Sequence, residues 1–197
     1  MKKIQLLFLL LLSISLVNCG IGDQKREIET LGKCKFEIKS IKEMKVAGTS
    51  VDKIIKKGNL DFGSIPNIAI AALQQNIPLD AILNLEVTNP TDSKASIDEF
   101  DYIILLENSE LANGTVNQKI SVDAKQAAII PINIKGEVYK LVFGEDKALL
   151  KFLTGDNTTK ANFTIKVKPT FTVAGQKVKY PGYISIDKQL SREILFK

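Results

Sequence analysis

Short stretches that alternate apolar and polar residues recur along most of this chain. In residues 79–88, for example, Leu83, Leu85 and Val87 alternate with polar residues. This period of two is typical of β-strands that bury one face. Asn89-Pro90 ends the stretch, because proline cannot donate a hydrogen bond to a strand ladder. Such strands, separated by turn residues, predict a β-sandwich or barrel rather than parallel α/β units.

The same spacing places strands along the rest of the chain. Pro131 lies within one of them and indicates an edge strand or an irregularity, since a central strand needs every amide donor. Asn113-Gly114 is a dipeptide that favours tight turns, so we expect a hairpin or short bend there. The predicted extended segments are 33–41 leading into 46–55, 60–62, 79–88, 100–107, 110–112, 116–122, 127–134, 163–167, 171–173 and 178–186.

Two stretches have a helical composition instead. Pro66 to Asn76 is rich in alanine and glutamine, and proline suits a first helical turn. Between Glu137 and Leu153 the apolar residues are spaced as on one side of a short helix, which Gly155 would end. We expect this second helix to plug an open end of the sandwich.

The first residues have the pattern of an export signal. Lys2 and Lys3 precede an apolar run from Ile4 to Val17, which is too short for a spanning helix of roughly 20 residues. Leu16-Val17-Asn18-Cys19 resembles the lipobox of bacterial lipoproteins, although Asn18 stands where Gly, Ala or Ser is usual. The resemblance implies that a peptidase removes residues 1–18 and that Cys19 carries the lipid. The alternative is an ordinary secreted protein in which Cys19 is incidental.

These features divide the chain into three parts. We predict a lipoprotein signal peptide over 1–18, a flexible tether over 19–32 and a single β-sandwich domain over 33–197. Lipidated Cys19 would attach the protein to a membrane. Because Gly20 is not the acidic residue that some bacteria use for inner-membrane retention, we expect the outer membrane of the cell envelope.

Net charge limits the classes of molecule that this protein is expected to bind. Loss of Lys2 and Lys3 with the signal reduces the net charge from +5 to +3, which is too small a surplus to indicate nucleic acid. The lysines are dispersed, which is typical of solvated strand faces; a cationic face near anionic lipids is the alternative.

With Cys19 acylated, Cys34 is the only thiol left, so an intramolecular disulfide is excluded. Its alternation with Phe36 predicts a buried side chain.

Five stretches of the chain share their order and spacing with a known family. They are 83–90, ending in Asn-Pro, Phe100-Asp101-Tyr102, Leu111-Ala112-Asn113-Gly114, Ile129 to Ile134 and Lys166-Val167-Lys168. Through these stretches the central half of the chain, about 79–173, resembles the late embryogenesis abundant (LEA) type 2 family, which includes the water-stress and hypersensitive-response domain. The resemblance implies an immunoglobulin- or fibronectin-III-like antiparallel β-sandwich in which Asn89 and Pro90 form a turn. With the helices predicted from the residues, the expected fold class is mainly β with one or two short helices. Members are linked to desiccation and stress tolerance without an agreed reaction or ligand. The helix predicted from Pro66 departs from the family pattern.

Groups that usually carry catalysis are scarce. The chain has no histidine, which excludes Ser-His-Asp and Cys-His catalysis and imidazole metal sites. Asp98, Glu99 and Asp101 form the densest acidic cluster, and a carboxylate acid/base pair or a calcium site competes there with solvated turn acids. The cluster lacks the alternating ligands and glycine of a calcium loop. We predict neither an enzyme nor a cofactor or metal site.

Three functions therefore remain from the sequence. The leading hypothesis is a lipid-anchored envelope protein that meets other envelope proteins, glycans or membrane under water stress. The alternative is an accessory subunit or adaptor of an outer-membrane or secretion complex, which binds through a strand edge or loops. One hypothesis for the contact surface is an aromatic patch formed by Tyr180, Pro181 and Tyr183. The alternative is that these residues lie in the core or on an edge strand. An enzyme that uses the Asp98 to Asp101 acids is the third.

Overall fold

Alternating side chains decide where the long strands of this protein form. The computed structural model describes residues 26–27, 29–56, 65–145, 147–156, 158–173 and 175–196. In it, the strand Pro78–Thr88 buries every second residue from Leu79 to Val87, as the period of two predicts. The predicted signal peptide, Cys19 and the predicted extended segment 60–62 lie outside the described residues.

Two antiparallel sheets form a β-sandwich, so the predicted mainly-β fold class is confirmed. One sheet has the order β2-β1-β3-β8, and the other has the order β10-β9-β5-β6, with β11 pairing with β9 beyond β10. A small ladder of β4 and β7 lies beside them. The strands are β1 (Lys35–Val46), β2 (Thr49–Ser50), β3 (Pro78–Thr88), β4 (Ala95–Ile97), β5 (Glu99–Leu106), β6 (Ser109–Val116), β7 (Ile120–Val122), β8 (Ala127–Glu137), β9 (Lys160–Val173), β10 (Gln176–Lys179) and β11 (Ile184–Ser191).

The core lies between the two large sheets and is closed differently at its two ends. At one end, which we call the Leu31 end, Leu31 lines an apolar cavity of about 30 Å³ together with Val87 of β3 and Ile97 of β4. At the other, the Phe152 end, Phe152 packs with Leu79 at the opposite end of β3. The 11 residues of β3 therefore run from one end of the sandwich to the other, a length of roughly 35 Å.

Short helices are more numerous than the one or two that the sequence predicts. The described residues contain α1 (Val51–Lys56), α2 (Pro66–Leu73), α3 (Tyr139–Phe143) and α4 (Ala148–Thr154), and a 3₁₀ helix over Arg192–Phe196. The α2 helix confirms the prediction from Pro66. Of the predicted extended segment 46–55, Val46 and Thr49–Ser50 do lie in strands, but the α1 helix overturns the prediction for 51–55. Val51 and Ile54 lie three residues apart and are both buried on one helical face.

The apolar stretch after β8 forms two helices rather than one. Lys147, with a left-handed φ of 49°, separates α3 from α4. Gly155 follows the last residue of α4, as predicted. Phe152 meets Phe163 of β9 edge to face, with ring centroids 5.4 Å apart. The helix therefore does plug one end of the sandwich.

Asn113-Gly114 is not a turn, which corrects the predicted hairpin there. Both residues lie within β6, opposite Ile103 and Tyr102 of β5. The chain reverses earlier, at Glu107 and Asn108, where φ is 48° and 68°. Two successive left-handed residues are what a two-residue β-hairpin requires.

The ordered domain begins before Lys33, within the segment predicted to be a flexible tether. Residues 29–31 are helical, and Thr30 and Leu31 are buried. Leu31 is buried because its side chain completes the apolar lining at its end of the core. The predicted start at Lys33 is therefore wrong; residues 19–25 of the predicted tether lie outside the described residues.

The proline in β8 lies where the sequence predicts it. Pro131 pairs with Asn84 of β3, and β8 is the last strand of its sheet. An edge strand tolerates a missing amide donor on its open side.

Among the described residues, no helix is long and apolar enough to span a bilayer.

Candidate functional site

The predicted acidic cluster lies at the start of β5, and lysines of β10 neutralise two of its members. The Lys177 ammonium lies 2.7 Å from Glu99 Oε2, and the Lys179 ammonium lies 2.7 Å from Asp101 Oδ2. Strand β9 runs between the two partners, so both lysine side chains extend across it. Thr170 of β9 is buried beneath this layer of charges. These contacts tie β5 to β10 rather than leaving a free acid/base pair.

Asp98 is held separately from the other two carboxylates. Its Oδ2 accepts a hydrogen bond of 2.7 Å from the Thr172 amide, and its Oδ1 lies 3.7 Å from the Lys119 ammonium. Glu99 and Asp101 belong to a strand, so the interpretation of the cluster as solvated turn acids is wrong for those two residues. Within the described part of the chain, no three Cys, Asp or Glu residues are grouped closely enough to hold a metal ion.

The electrostatics of Asp101 are the opposite of what a general acid needs. Hydrogen bonds from Lys179 and then from Thr115 lower the pKa of this carboxyl below its usual value of 3.8. A carboxyl that donates a proton near neutral pH requires a raised pKa instead. Asp101 is therefore a permanent negative charge, suited to an ion pair between strands.

Asn89 is the most completely bonded polar side chain of the predicted turn. It is fully buried, and its amide nitrogen donates to the carbonyl oxygens of Ser93, Val122 and Asp123 at 2.7, 3.1 and 3.2 Å. Its oxygen accepts from the Thr91 amide at 3.1 Å and from the Thr91 hydroxyl at 2.8 Å. The predicted role in forming the turn is confirmed, and the side chain has no bonding capacity left for a ligand.

Cys34 is buried, as its alternation with Phe36 predicts. Its Sγ donates to the carbonyl oxygen of Thr30 at 3.5 Å. Burial raises the pKa of the thiol above its usual 9.0. A buried thiol that stays protonated is a poor nucleophile, so Cys34 is a packing residue.

Exposed aromatic residues mark a break in the edge of the second sheet. The chain leaves β9 after Lys179 and rejoins it at Ile184. Within this break Tyr180 and Tyr183 are 42% and 45% exposed, and Val178 beside them is 50% exposed. The alternative of a core role is wrong for both tyrosines, and both lie in the break between β10 and β11 rather than within an edge strand. An open edge of this kind can accept a strand from another protein.

Contacts with residues of β9 hold part of this edge in place. The Tyr180 amide donates to the Pro169 carbonyl oxygen at 2.8 Å. The Lys168 ammonium lies 5.6 Å from the centre of the Tyr183 ring, within range of a cation–π attraction. We call residues 178–183 the edge patch.

No protein-family profile matches this sequence, and no curated protein sequence is significantly similar to it. Three solved structures are similar in part. A candidate LEA protein is 13% identical over 74% of this chain and 87% of its own, with a TM-score of 0.36. A protein from Arabidopsis thaliana is 15% identical over 59% and 72%, with a TM-score of 0.41. A protein from Archaeoglobus fulgidus is 13% identical over 58% and 85%, with a TM-score of 0.35.

A polar cleft at the Leu31 end is a feature that the sequence does not predict. It has a volume of about 310 Å³ and brings together four segments that are far apart in the chain. Ser96 of β4 donates a hydrogen bond to Glu27 inside it. Neither Ser96 nor Glu27 belongs to a recognisable motif, so only the folded chain places them together. The lining residues are Glu27, Ser96, Ile97, Asp98, Lys119, Phe171 and Thr172.

Proposed function

We propose that this protein is a lipid-anchored, non-enzymatic component of the bacterial cell envelope, placed in the outer membrane. The observation that carries the proposal is the sequence Leu16-Val17-Asn18-Cys19 at the end of a short apolar run. Acylation of Cys19 adds fatty chains to the mature N-terminus, and each buried methylene contributes about 0.8 kcal/mol to membrane binding. Two or more chains therefore hold the domain at the membrane without any help from its surface.

The absence of a reaction is part of the proposal and has its own support. The carboxylates of the acidic cluster are engaged by lysines or by a backbone amide. The one described thiol is buried. The buried side chain of Asn89 uses its hydrogen bonds to hold the fold together.

A role in tolerance of drying or osmotic stress is the finer part of the proposal. It is supported by the resemblance of residues 79–173 to the LEA type 2 family. Deleting the gene should reduce survival and envelope integrity after drying or osmotic shock, and the wild-type gene should restore both. Unaltered integrity in the deletion strain would remove the stress role.

A mass spectrum of the purified mature protein tests the anchor. We expect a chain that starts at Cys19 and carries fatty acyl groups. The variant Cys19→Ser should retain its first 18 residues and carry no lipid, whereas Cys34→Ala, which alters the other cysteine, should mature normally. Protein found free in the medium that starts at another residue and carries no lipid would refute the anchor.

The edge patch favours a second candidate function, that of an adaptor for an envelope complex. Val178, Tyr180 and Tyr183 combine exposed apolar area with an open strand edge. Cross-linking in cells should then capture one stoichiometric partner, and Tyr180→Ala with Tyr183→Ala should abolish the cross-link. Phe143→Ala, which removes an exposed aromatic residue of α3, is the matched control. Scattered neighbours and lipid in the cross-linked material would favour the first proposal.

A further inference from the structure

The chain enters the folded domain at one end of the sandwich. Glu27 accepts a hydrogen bond from Ser96 of β4, and it lines the polar cleft with Phe171 and Thr172 near the end of β9. A few residues later Leu31 fills the apolar cavity at the same end. The segment that connects Cys19 to the domain therefore arrives at the Leu31 end, away from α4.

We propose that the Leu31 end of the domain faces the bilayer and that the Phe152 end is held away from it. The proposal rests on the acylation of Cys19 proposed above. It names lipid headgroups as the surface that the Leu31 end meets.

The reach of the connecting chain decides between the two ends. Eight residue steps separate Cys19 from Glu27, and a fully extended chain of that length spans at most about 29 Å. For the domain to stand with its Phe152 end on the bilayer and its Leu31 end away from it, the connection would have to run along the whole sandwich. That path is at least as long as β3, whose 11 residues span roughly 35 Å. The connection is too short for it.

Charge does not supply the orientation. Four exposed lysines of the Leu31 end have a carboxylate nearby, whereas Lys33 and Lys35 are exposed and have no ion pair among the described contacts. Most of the positive charge at this end is therefore neutralised locally, which leaves little net charge for anionic lipids to attract. A paired surface should orient no better on anionic lipid than on neutral lipid. The pairs are Lys94 with Asp123 at 3.6 Å, Lys119 with Asp98 at 3.7 Å, Lys125 with Asp92 at 3.2 Å and Lys177 with Glu99 at 2.7 Å.

Energy transfer to the membrane surface tests the orientation with the full mature lipoprotein in phosphatidylcholine vesicles. A donor dye is attached at Lys94→Cys, next to β4 at the Leu31 end, or at Lys151→Cys, on α4 at the Phe152 end. Both positions are exposed lysines, so the two variants are matched in charge, and Cys34 is buried and does not compete for the dye. An acceptor dye is carried by the lipid headgroups.

We expect several-fold more transfer from position 94 than from position 151. Equal transfer, or more from position 151, in protein that floats with the vesicles would overturn the orientation and leave the anchor intact. Protein that does not float with the vesicles would overturn the anchor, and the orientation with it.

Two further measurements distinguish orientation by the length of the connecting chain from orientation by surface charge. A Gly/Ser insertion after Lys25 that triples the connecting length should make the two transfer efficiencies similar. Adding phosphatidylglycerol or salt should leave the ratio between the positions unchanged. A ratio that survives the insertion, or one that needs anionic lipid and disappears in salt, would refute orientation by chain length.

Discussion

The ring of Tyr102 lies against Gly114 of the neighbouring strand, and a Cβ placed on Gly114 would be only 2.6 Å from the tyrosine hydroxyl oxygen. The same hydroxyl donates a hydrogen bond of 2.9 Å to the carbonyl oxygen of Asn133 in the other sheet. Tyr102 thus connects β5 and β6 to β8. Gly114 is required because only a residue without a side chain leaves room for the ring.

Gly114→Ala should therefore destabilise the protein. The added methyl group either displaces the ring or breaks its hydrogen bond to Asn133, and overpacking of this kind costs about 1–3 kcal/mol. Urea unfolding followed by circular dichroism measures the loss. Gly182→Ala is the matched control, because a Cβ there meets nothing within 4 Å. Equal unfolding midpoints for the two variants would contradict this account of Gly114.

Asn89 provides a second test of the fold. Asn89→Ala leaves the carbonyl oxygens of Ser93, Val122 and Asp123 without the donor that now satisfies them. Unsatisfied buried groups cost about 1–3 kcal/mol, so we expect a loss of that size in the free energy of unfolding. Asn76→Ala, at an exposed position, should change stability by less than about 0.5 kcal/mol. Similar losses in both variants would show that the bonds of Asn89 contribute little.

The strands that follow a local rule are the parts that the sequence predicts well. Alternation in residues 79–88 depends only on which face of one strand is buried, so the residues themselves carry the signal. The helix over 51–56 was missed because Val51 and Ile54 are as compatible with an apolar strand as with a short helix. Short apolar runs are ambiguous in this respect.

Long-range contacts explain the remaining errors. The Asn-Gly sequence at residues 113–114 favours a turn locally, but Gly114 is needed for contact with Tyr102 on the paired strand. Likewise, the acids at 99 and 101 looked free because their lysine partners are 78 residues away. The polar cleft has the same origin: Glu27 and Ser96 are separated by 69 residues.

The Asp101–Lys179 pair should give a small, pH-dependent contribution to stability. The folded protein holds the pKa of Asp101 below its usual 3.8, chiefly through Lys179. The contribution is therefore complete above about pH 3.8 and is lost as the pH falls through the lower folded value. Both side chains are partly exposed, at 29% and 57%, so screening by solvent keeps the contribution of the pair small.

A comparison of Asp101→Asn with the wild type at pH 7 and at pH 2.5 measures this contribution. The variant should be slightly less stable at pH 7, and the difference should shrink at the lower pH and in high salt. Asp187→Asn is the control, because Asp187 accepts from Thr164 and has no lysine partner among the described contacts. A difference that grows in acid would reverse the predicted sign.

Thiol counting tests the state of both cysteines at once. In the mature protein Cys34 is buried and its pKa is raised, so a thiol reagent should react slowly with the native protein at neutral pH. In denaturant, one thiol per chain should react quickly if Cys19 is acylated, because the chain contains two cysteines. Cys34→Ala should then leave none. Two reactive thiols in the denatured mature protein would show that the sulfur of Cys19 carries no lipid. Fast labelling of the native protein would show that Cys34 is not buried in solution.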